Sequence, residues 1–209
     1  MEKFVHLKAI AAPLLRVNID TDVIIPSREM KGVSKTGLSV GMFANWRYTD
    51  VAARAANPEF VLNRAPFDKA QILLTGDNFG CGSSREHAVW AMKEWGFWAV
   101  IAPSFGAIYY GNCVRNGILP VVLPDEAVRA IAAWVEQAPA MNQVEIDLPT
   151  QKVYAAGVVY AFSIGDSDKD MLLEGLDPIG VTLKKDPAIQ AFETKDRVMR
   201  PWVYINGPA

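Results

Sequence analysis

The sequence predicts an α/β domain built around a parallel strand–helix–strand core. Three observations carry this. From Gln71 onward, short apolar runs (Ile72–Thr75, Trp98–Ala102, Ile118–Leu123) alternate with segments of helical periodicity. Such alternation implies parallel strands joined by crossover helices. Helix punctuation falls where the alternation needs it: Gly96 and Gly117 close two helices, and Pro124-Asp125-Glu126 opens a third. Finally, 209 residues, 51% hydrophobic and 21% charged, suffice for one substantial domain, expected to span 1–209.

In chain order, Phe4–Ile10 and Pro13–Val17 read as short strands broken by Ala11-Ala12-Pro13. Asn18-Ile19-Asp20-Thr21-Asp22 is a polar turn, of a kind that often bonds its own backbone. Val23-Ile24-Ile25 is a short apolar run ending at Pro26. Residues 27–44 hold Gly32, Gly37 and Gly41 and read as a flexible loop, a type that is often functional inside compact domains. Residues 45–65 are polar with aromatics and a turn at Asn57-Pro58.

Ile72–Thr75 is a strand, Ser84–Trp95 a helix and Trp98–Ala102 a strand. Ser104 is expected to cap a helix carrying Ile108, Tyr109 and Val114. Ile118–Leu123 contains Pro120, so that strand should lie at an edge or be distorted. The next helix places Val128, Ile131, Ala132 and Val135 on one face. Val144–Leu148, Val153–Ala155 and Val158–Phe162 read as antiparallel strands, the last two joined around Gly157. Asp168–Glu174 and Asp186–Glu193 are short helices, and the remainder is expected to pack loosely or touch a partner.

Composition excludes several classes. Net charge is −2 with mixed signs, so no basic stripe offers itself to nucleic acid. The apolar runs are far shorter than a membrane span, and Met1-Glu2-Lys3 leads into a strand rather than a signal peptide. The expectation is a cytoplasmic protein. Two cysteines, Cys81 and Cys113, make neither a disulfide framework nor a zinc site. An iron–sulfur cluster needs three or four cysteine ligands, so any such cluster must sit on another chain. No metal site is expected here, and His6 reads as structural.

The chemistry concentrates in Gly76-Asp77-Asn78-Phe79-Gly80-Cys81-Gly82-Ser83-Ser84-Arg85-Glu86-His87. This is a glycine-rich turn between a strand and a helix, where backbone can approach a ligand and helix N–H groups favour an anion. Ser83-x-x-Glu86 fits a capping box, which accounts for those two residues without any function. It does not account for three glycines and an arginine in the same turn. Rival motifs fail: Arg85 stands where a dinucleotide fingerprint needs glycine, Gly-Lys-Ser/Thr is missing, and neither serine has the second glycine of a hydrolase elbow. The helix start between Cys81 and His87 argues against a nucleophile–base pair. The residues alone support a carboxylate-binding turn, catalytic or not.

Gly80-Cys81-Gly82-Ser83-Ser84-Arg85-Glu86-His87 resembles the signature of the isopropylmalate dehydratase small-subunit family, related to the aconitase swivelling domain. Asn18–Pro26, Ala102–Phe105, Asn116–Pro120 and Gly175–Gly180 agree in the same order. The resemblance implies a three-layer β/β/α swivelling domain with mixed strands. It implies the small subunit of a heteromeric hydro-lyase that isomerises 2- and 3-isopropylmalate, in leucine biosynthesis. A large subunit would hold a 4Fe–4S cluster, and the substrate would be a small hydroxy dicarboxylate. By position, Ser83 would be the base, Asp22 a second catalytic residue, and Arg85 the carboxylate clamp, with Ser84 and Gly82 also binding substrate. Arg28, Glu29, Met30 and Lys31 would select the substrate's side group; they are more polar than the family's usual apolar pair. Citramalate or homoaconitate-type substrates, or a non-catalytic dicarboxylate-binding module, are the alternatives.

Overall fold

The computed structural model describes residues 1–30 and 34–204. Its first two strands, β1 (His6–Ala9) and β2 (Ala11–Leu14), are separated by Ile10 alone yet belong to different sheets. Then follow the one-turn helix α1 (Thr21–Ile24), a short helix α2 (Ala44–Arg47) and a hairpin of β3 (Tyr48–Asp50) with β4 (Ala55–Ala56). The alternating part is β5 (Ile72–Thr75), α3 (His87–Trp95), β6 (Ala99–Ala102), α4 (Ala107–Arg115), β7 (Leu119–Val122) and α5 (Asp125–Gln137). The chain closes with β8 (Val144–Asp147), β9 (Lys152–Ala155), β10 (Val158–Ala161), α6 (Asp166–Glu174), α7 (Pro178–Leu183) and α8 (Asp186–Met199).

The parallel sheet has the order β2-β5-β6-β7. Every residue of β5 and β6 is buried, which explains why those runs show no polar alternation: both faces are covered. Pro13 and Pro120 each lie within a strand, and both strands are at an edge of this sheet, where a missing N–H costs no ladder bond on the open side. The expectation for Pro120 holds, and β2 follows the same rule, starting earlier than the sequence suggests.

The second sheet is antiparallel, in the order β1-β8-β9-β10. Val144, Ile146, Val153 and Ala155 point inward while their neighbours face out. Ala156 and Gly157 both take positive φ, the two-residue turn that matches strand twist. The expected α/β architecture, a parallel strand–helix–strand core beside antiparallel strands, is therefore present. Val128, Ile131, Ala132 and Val135 of α5 are buried together as expected.

Several boundaries differ. α3 begins at His87, not Ser84, because Ser83 and Glu86 spend their side chains elsewhere. Gly96 does end it, at φ +114°. Ser104 does not cap α4; its hydroxyl donates to Asp77 (2.5 Å) and accepts from the Asn78 N–H (2.9 Å). α8 runs beyond the expected Glu193, to Met199. α7 is an addition to the expected elements; Asp177 caps it by accepting from Gly180 N, with Pro178 in its first turn. The loop after Pro26 contains 3₁₀ turns at Ser27–Glu29 and Ser39–Gly41.

Candidate functional site

The glycine-rich turn leaves the carboxyl end of β5, where parallel α/β sheets place their ligands. It is stitched on both sides. On one side Asn18 N donates to Asp77 O (2.8 Å), Gly80 N to Ile19 O (2.7 Å) and Thr21 N to Cys81 O (3.0 Å). On the other, Phe79 N donates to Ser104 O (3.1 Å) and Gly106 N to Phe79 O (2.9 Å). The turn thus continues strand-like pairing between the segments that follow β2 and β6.

Two glycines make this possible. Gly80 sits at φ +71°, and a Cβ there would lie 2.1 Å from the Tyr109 ring. A Cβ on Gly106 would lie 2.6 Å from the Gly80 carbonyl. Gly82, at φ +93°, has room around it and is required for its backbone conformation rather than for space. It is solvent-exposed at the mouth of the turn.

This stitching brings Asp20, Thr21 and Asp22 against Ser83 and Arg85. Asp20 accepts from Val23 N (2.7 Å) and so caps α1, the self-bonding turn expected of that segment. Thr21, at the helix start, is 2% exposed, and its hydroxyl lies 2.9 Å from Ser83 Oγ. Arg85 Nε donates to Ser83 Oγ (2.7 Å), and Arg85 Nη2 donates to Asp22 Oδ1 (2.6 Å). Ser83, Arg85 and Asp22 therefore meet, and Thr21 joins them.

Ser84 is exposed, and its carbonyl accepts from the buried Asn112 side chain at 3.4 Å. Ser83 does not form a capping box with Glu86; the Glu86 carboxylate accepts instead from Asn116 (3.0 Å). Cys81 is half-buried, whereas Cys113 is fully buried and burial pushes its thiol well up, so it is no nucleophile. Among the described residues no three His, Cys, Asp or Glu side chains gather into a metal-ligand set.

In the expected specificity loop, Arg28 hydrogen-bonds Asn45. The Glu29 carboxylate, 9% exposed, pairs with Arg54 at 2.5 Å. Met30 packs partly against the core. Lys31 lies outside the described residues. The far side of the loop is held by Glu94 of α3, which accepts from Gly37 N (2.5 Å) and Ser39 N (2.7 Å). Burial alone would raise the Glu94 carboxyl, but the hydrogen bonds from Ser39, Gly37 and Leu38 hold it below the usual range.

Sequence reasoning misses Thr21 and Glu94. Thr21 stands between the two aspartates of the polar turn, yet only the Asp20–Cys81 pairing shows that its hydroxyl reaches Ser83. Nothing in the sequence around Glu94 points to a loop more than fifty residues earlier.

Comparison with known proteins gives a consistent picture. Residues 1–126 match the family model of the aconitase C-terminal domain. Residues 179–204 match the model of the C-terminal domain of the 3-isopropylmalate dehydratase small subunit. The 3-isopropylmalate dehydratase small subunit of Cupriavidus necator is 56% identical over 208 residues, covering 99% of this chain and 100% of that protein. The one from Roseobacter denitrificans is 47% identical over 204 residues, covering 97% and 100%. The crystal structure of 3-isopropylmalate dehydratase from Methanocaldococcus jannaschii superposes with a TM-score of 0.62 at 25% identity, covering 90% of this chain and 99% of that one.

Proposed function

This chain belongs to the family of 3-isopropylmalate dehydratase small subunits, and on that premise we propose that Ser83 is its proton-transferring residue and Arg85 its carboxylate clamp. Membership makes the chain a component of a hydro-lyase that interconverts 2- and 3-isopropylmalate in leucine biosynthesis, working with a partner chain.

The observation that carries the site assignment is the position of Ser83 Oγ, with Arg85 Nε at 2.7 Å and Thr21 Oγ1 at 2.9 Å. A serine hydroxyl is a very weak acid, so its alkoxide needs help. A guanidinium N–H and a second hydroxyl aimed at one oxygen stabilise the charge that develops there. When a proton is taken from the substrate C–H, Ser83 Oγ receives it; when water is re-added, the same oxygen returns it. With the Thr21 hydroxyl turned to donate, both neighbours act as donors to the alkoxide.

Arg85 directs its Nε edge at Ser83 and Asp22, with Nε on one and Nη2 on the other. Its end-on edge, Nη1 with the second Nη2 proton, takes no part in those two bonds. That edge can meet a substrate carboxylate with two parallel bonds. Asp22 holds the guanidinium in this orientation. Gly82 lets backbone approach the substrate, and Ser84, exposed beside them, adds a hydroxyl.

The proposal includes a 4Fe–4S cluster on the large subunit, which would act as Lewis acid for the substrate hydroxyl. With one buried and one half-buried cysteine, the described residues of this chain offer no ligand set of their own. The proposed substrate is a small hydroxy dicarboxylate, 3-isopropylmalate first. The segment Arg28–Lys31 is proposed to set which side group is taken. No described helix is long and apolar enough to cross a membrane. The proposed compartment, on composition, is the cytoplasm, and the chain is proposed to act as one domain.

Mixing the chain with its large subunit tests this. Absorbance of the unsaturated intermediate should appear only in the mixture, with isopropylmalate preferred over citramalate and homocitrate-type substrates. Activity from either chain alone would contradict it.

A further inference from the structure

The segment after α6 is built unlike the rest of the chain. From Pro178 to Val203, across α7, α8 and the 3₁₀ turn Pro201–Val203, Asp196 is the single buried residue. Yet the segment carries large apolar side chains: Ile179 is 69% exposed, Leu183 62%, Phe192 61%, Met199 75% and Trp202 73%. On α8, Ile189, Phe192 and Met199 stand at i, i+3 and i+10, which is one face of a helix. The charge on that face, Asp196, is covered by Arg200 at 2.6 Å and the Tyr204 hydroxyl at 2.9 Å. A 14-residue helix without tertiary packing is marginal in water. Large apolar side chains left exposed together on such an arm mark an interaction surface.

We propose that this arm docks on the large subunit and is the chain's main attachment to it; the inference rests on the heteromeric reading above. Two findings select that occupant over a second copy of this chain. Residues 1–126 match a domain named for the C-terminal end of aconitase, where it is part of a longer chain. Residues 179–204 match instead a model that bears the small subunit's name. Where the domain is a separate chain, something must replace the covalent link, and among the described residues the added segment gathers Ile179, Leu183, Phe192, Met199 and Trp202, each more than 60% exposed.

The test uses the full chain carrying Phe192→Gln and Met199→Gln, which keep helix propensity while removing most of the apolar face of α8, together with Trp202→Gln in the 3₁₀ turn that follows. Val198→Gln, on the opposite face of α8, serves as control. The large subunit is titrated with each variant, and activity and calorimetry are followed. The melting temperature and light scattering of each variant alone are recorded. The triple variant should bind at least about tenfold more weakly. Its turnover at saturation and its melting temperature should stay at wild-type values, and Val198→Gln should bind normally. The single variant Met199→Gln replaces the triple if the latter melts early, with a smaller loss in the same direction. Unchanged affinity, or an equal loss with Val198→Gln, overturns the proposal. So does unchanged affinity with loss of a dimer seen by light scattering, which would assign the face to a second copy. If the wild-type chain does not bind the large subunit at all, the heteromeric reading itself fails.

Discussion

The Thr21 hydroxyl lies 2.9 Å from Ser83 Oγ, although the two residues are 62 positions apart. The backbone bond from Thr21 N to Cys81 O fixes that approach. Thr21 is thus a positioning residue for the proposed base and a donor available to its alkoxide. Thr21→Val keeps the shape and removes the donor. In the reconstituted complex kcat should fall by about 10²-fold, with KM little changed and Thr21→Ser restoring most of the loss. Steady-state kinetics of both variants checks this; equal loss in Thr21→Ser and Thr21→Val would mean that the hydroxyl is irrelevant.

Arg85 should separate binding from chemistry differently. Arg85→Lys replaces a planar fork by a point charge, so KM should rise by about tenfold or more and kcat should fall as well, because Nε also bonds Ser83. Asp22→Asn should give a milder form of the same pattern, since an exposed ion pair contributes only about 1 kcal/mol or less. A KM for Arg85→Lys equal to wild type would remove it from the carboxylate site.

Glu94 predicts a pH effect. Its carboxyl is held below the usual range in the folded chain by hydrogen bonds from the loop backbone. A depressed folded value means that the anchoring is complete above the ordinary glutamate range and is lost as pH falls through the lowered one. Backbone amide exchange at Gly37 and Ser39 should therefore show extra protection at neutral pH that disappears in acid. Glu94→Gln should lack that protection at neutral pH. Identical protection in the variant would show that other contacts hold the loop.

The loop that starts at Ser27 is the expected selector of substrate, and its described part tells which side chains are available for that. Glu29 is tied to Arg54 and Arg28 to Asn45, while Met30 has a side chain free of such polar ties. Met30→Ala should lower kcat/KM for isopropylmalate relative to citramalate by about tenfold, the scale of a few methylenes in an apolar pocket. Equal ratios for the two substrates would remove Met30 from the pocket.

Local chemistry makes much of this legible in the sequence. β5, β6 and α5 follow from apolar runs and periodicity that tertiary packing reinforces. The site turn is visible because glycines, serines and an arginine rarely crowd one strand–helix junction without purpose. What stays hidden depends on contacts between distant segments. The side chain of Ser83 fits a helix cap equally well, and only its approach to Thr21 and Arg85 draws it away and delays α3 to His87. Ser104 looks like a cap for the same reason, and Asp77 and Asn78 take its hydroxyl instead. The apolar residues of α8 follow a helical pattern, but a pattern does not say whether the facing surface belongs to the same chain.

Ser83 Oγ is the proposed proton-transferring atom. Ser83→Ala in the reconstituted complex tests that role most directly, with kcat and KM determined alongside the affinity of the variant for the large subunit. The expected result is a fall in kcat of about 10²–10⁴-fold, with KM and subunit affinity close to wild type. Turnover near the wild-type rate, with only a lower melting temperature, would contradict it and leave Ser83 a structural residue of the turn.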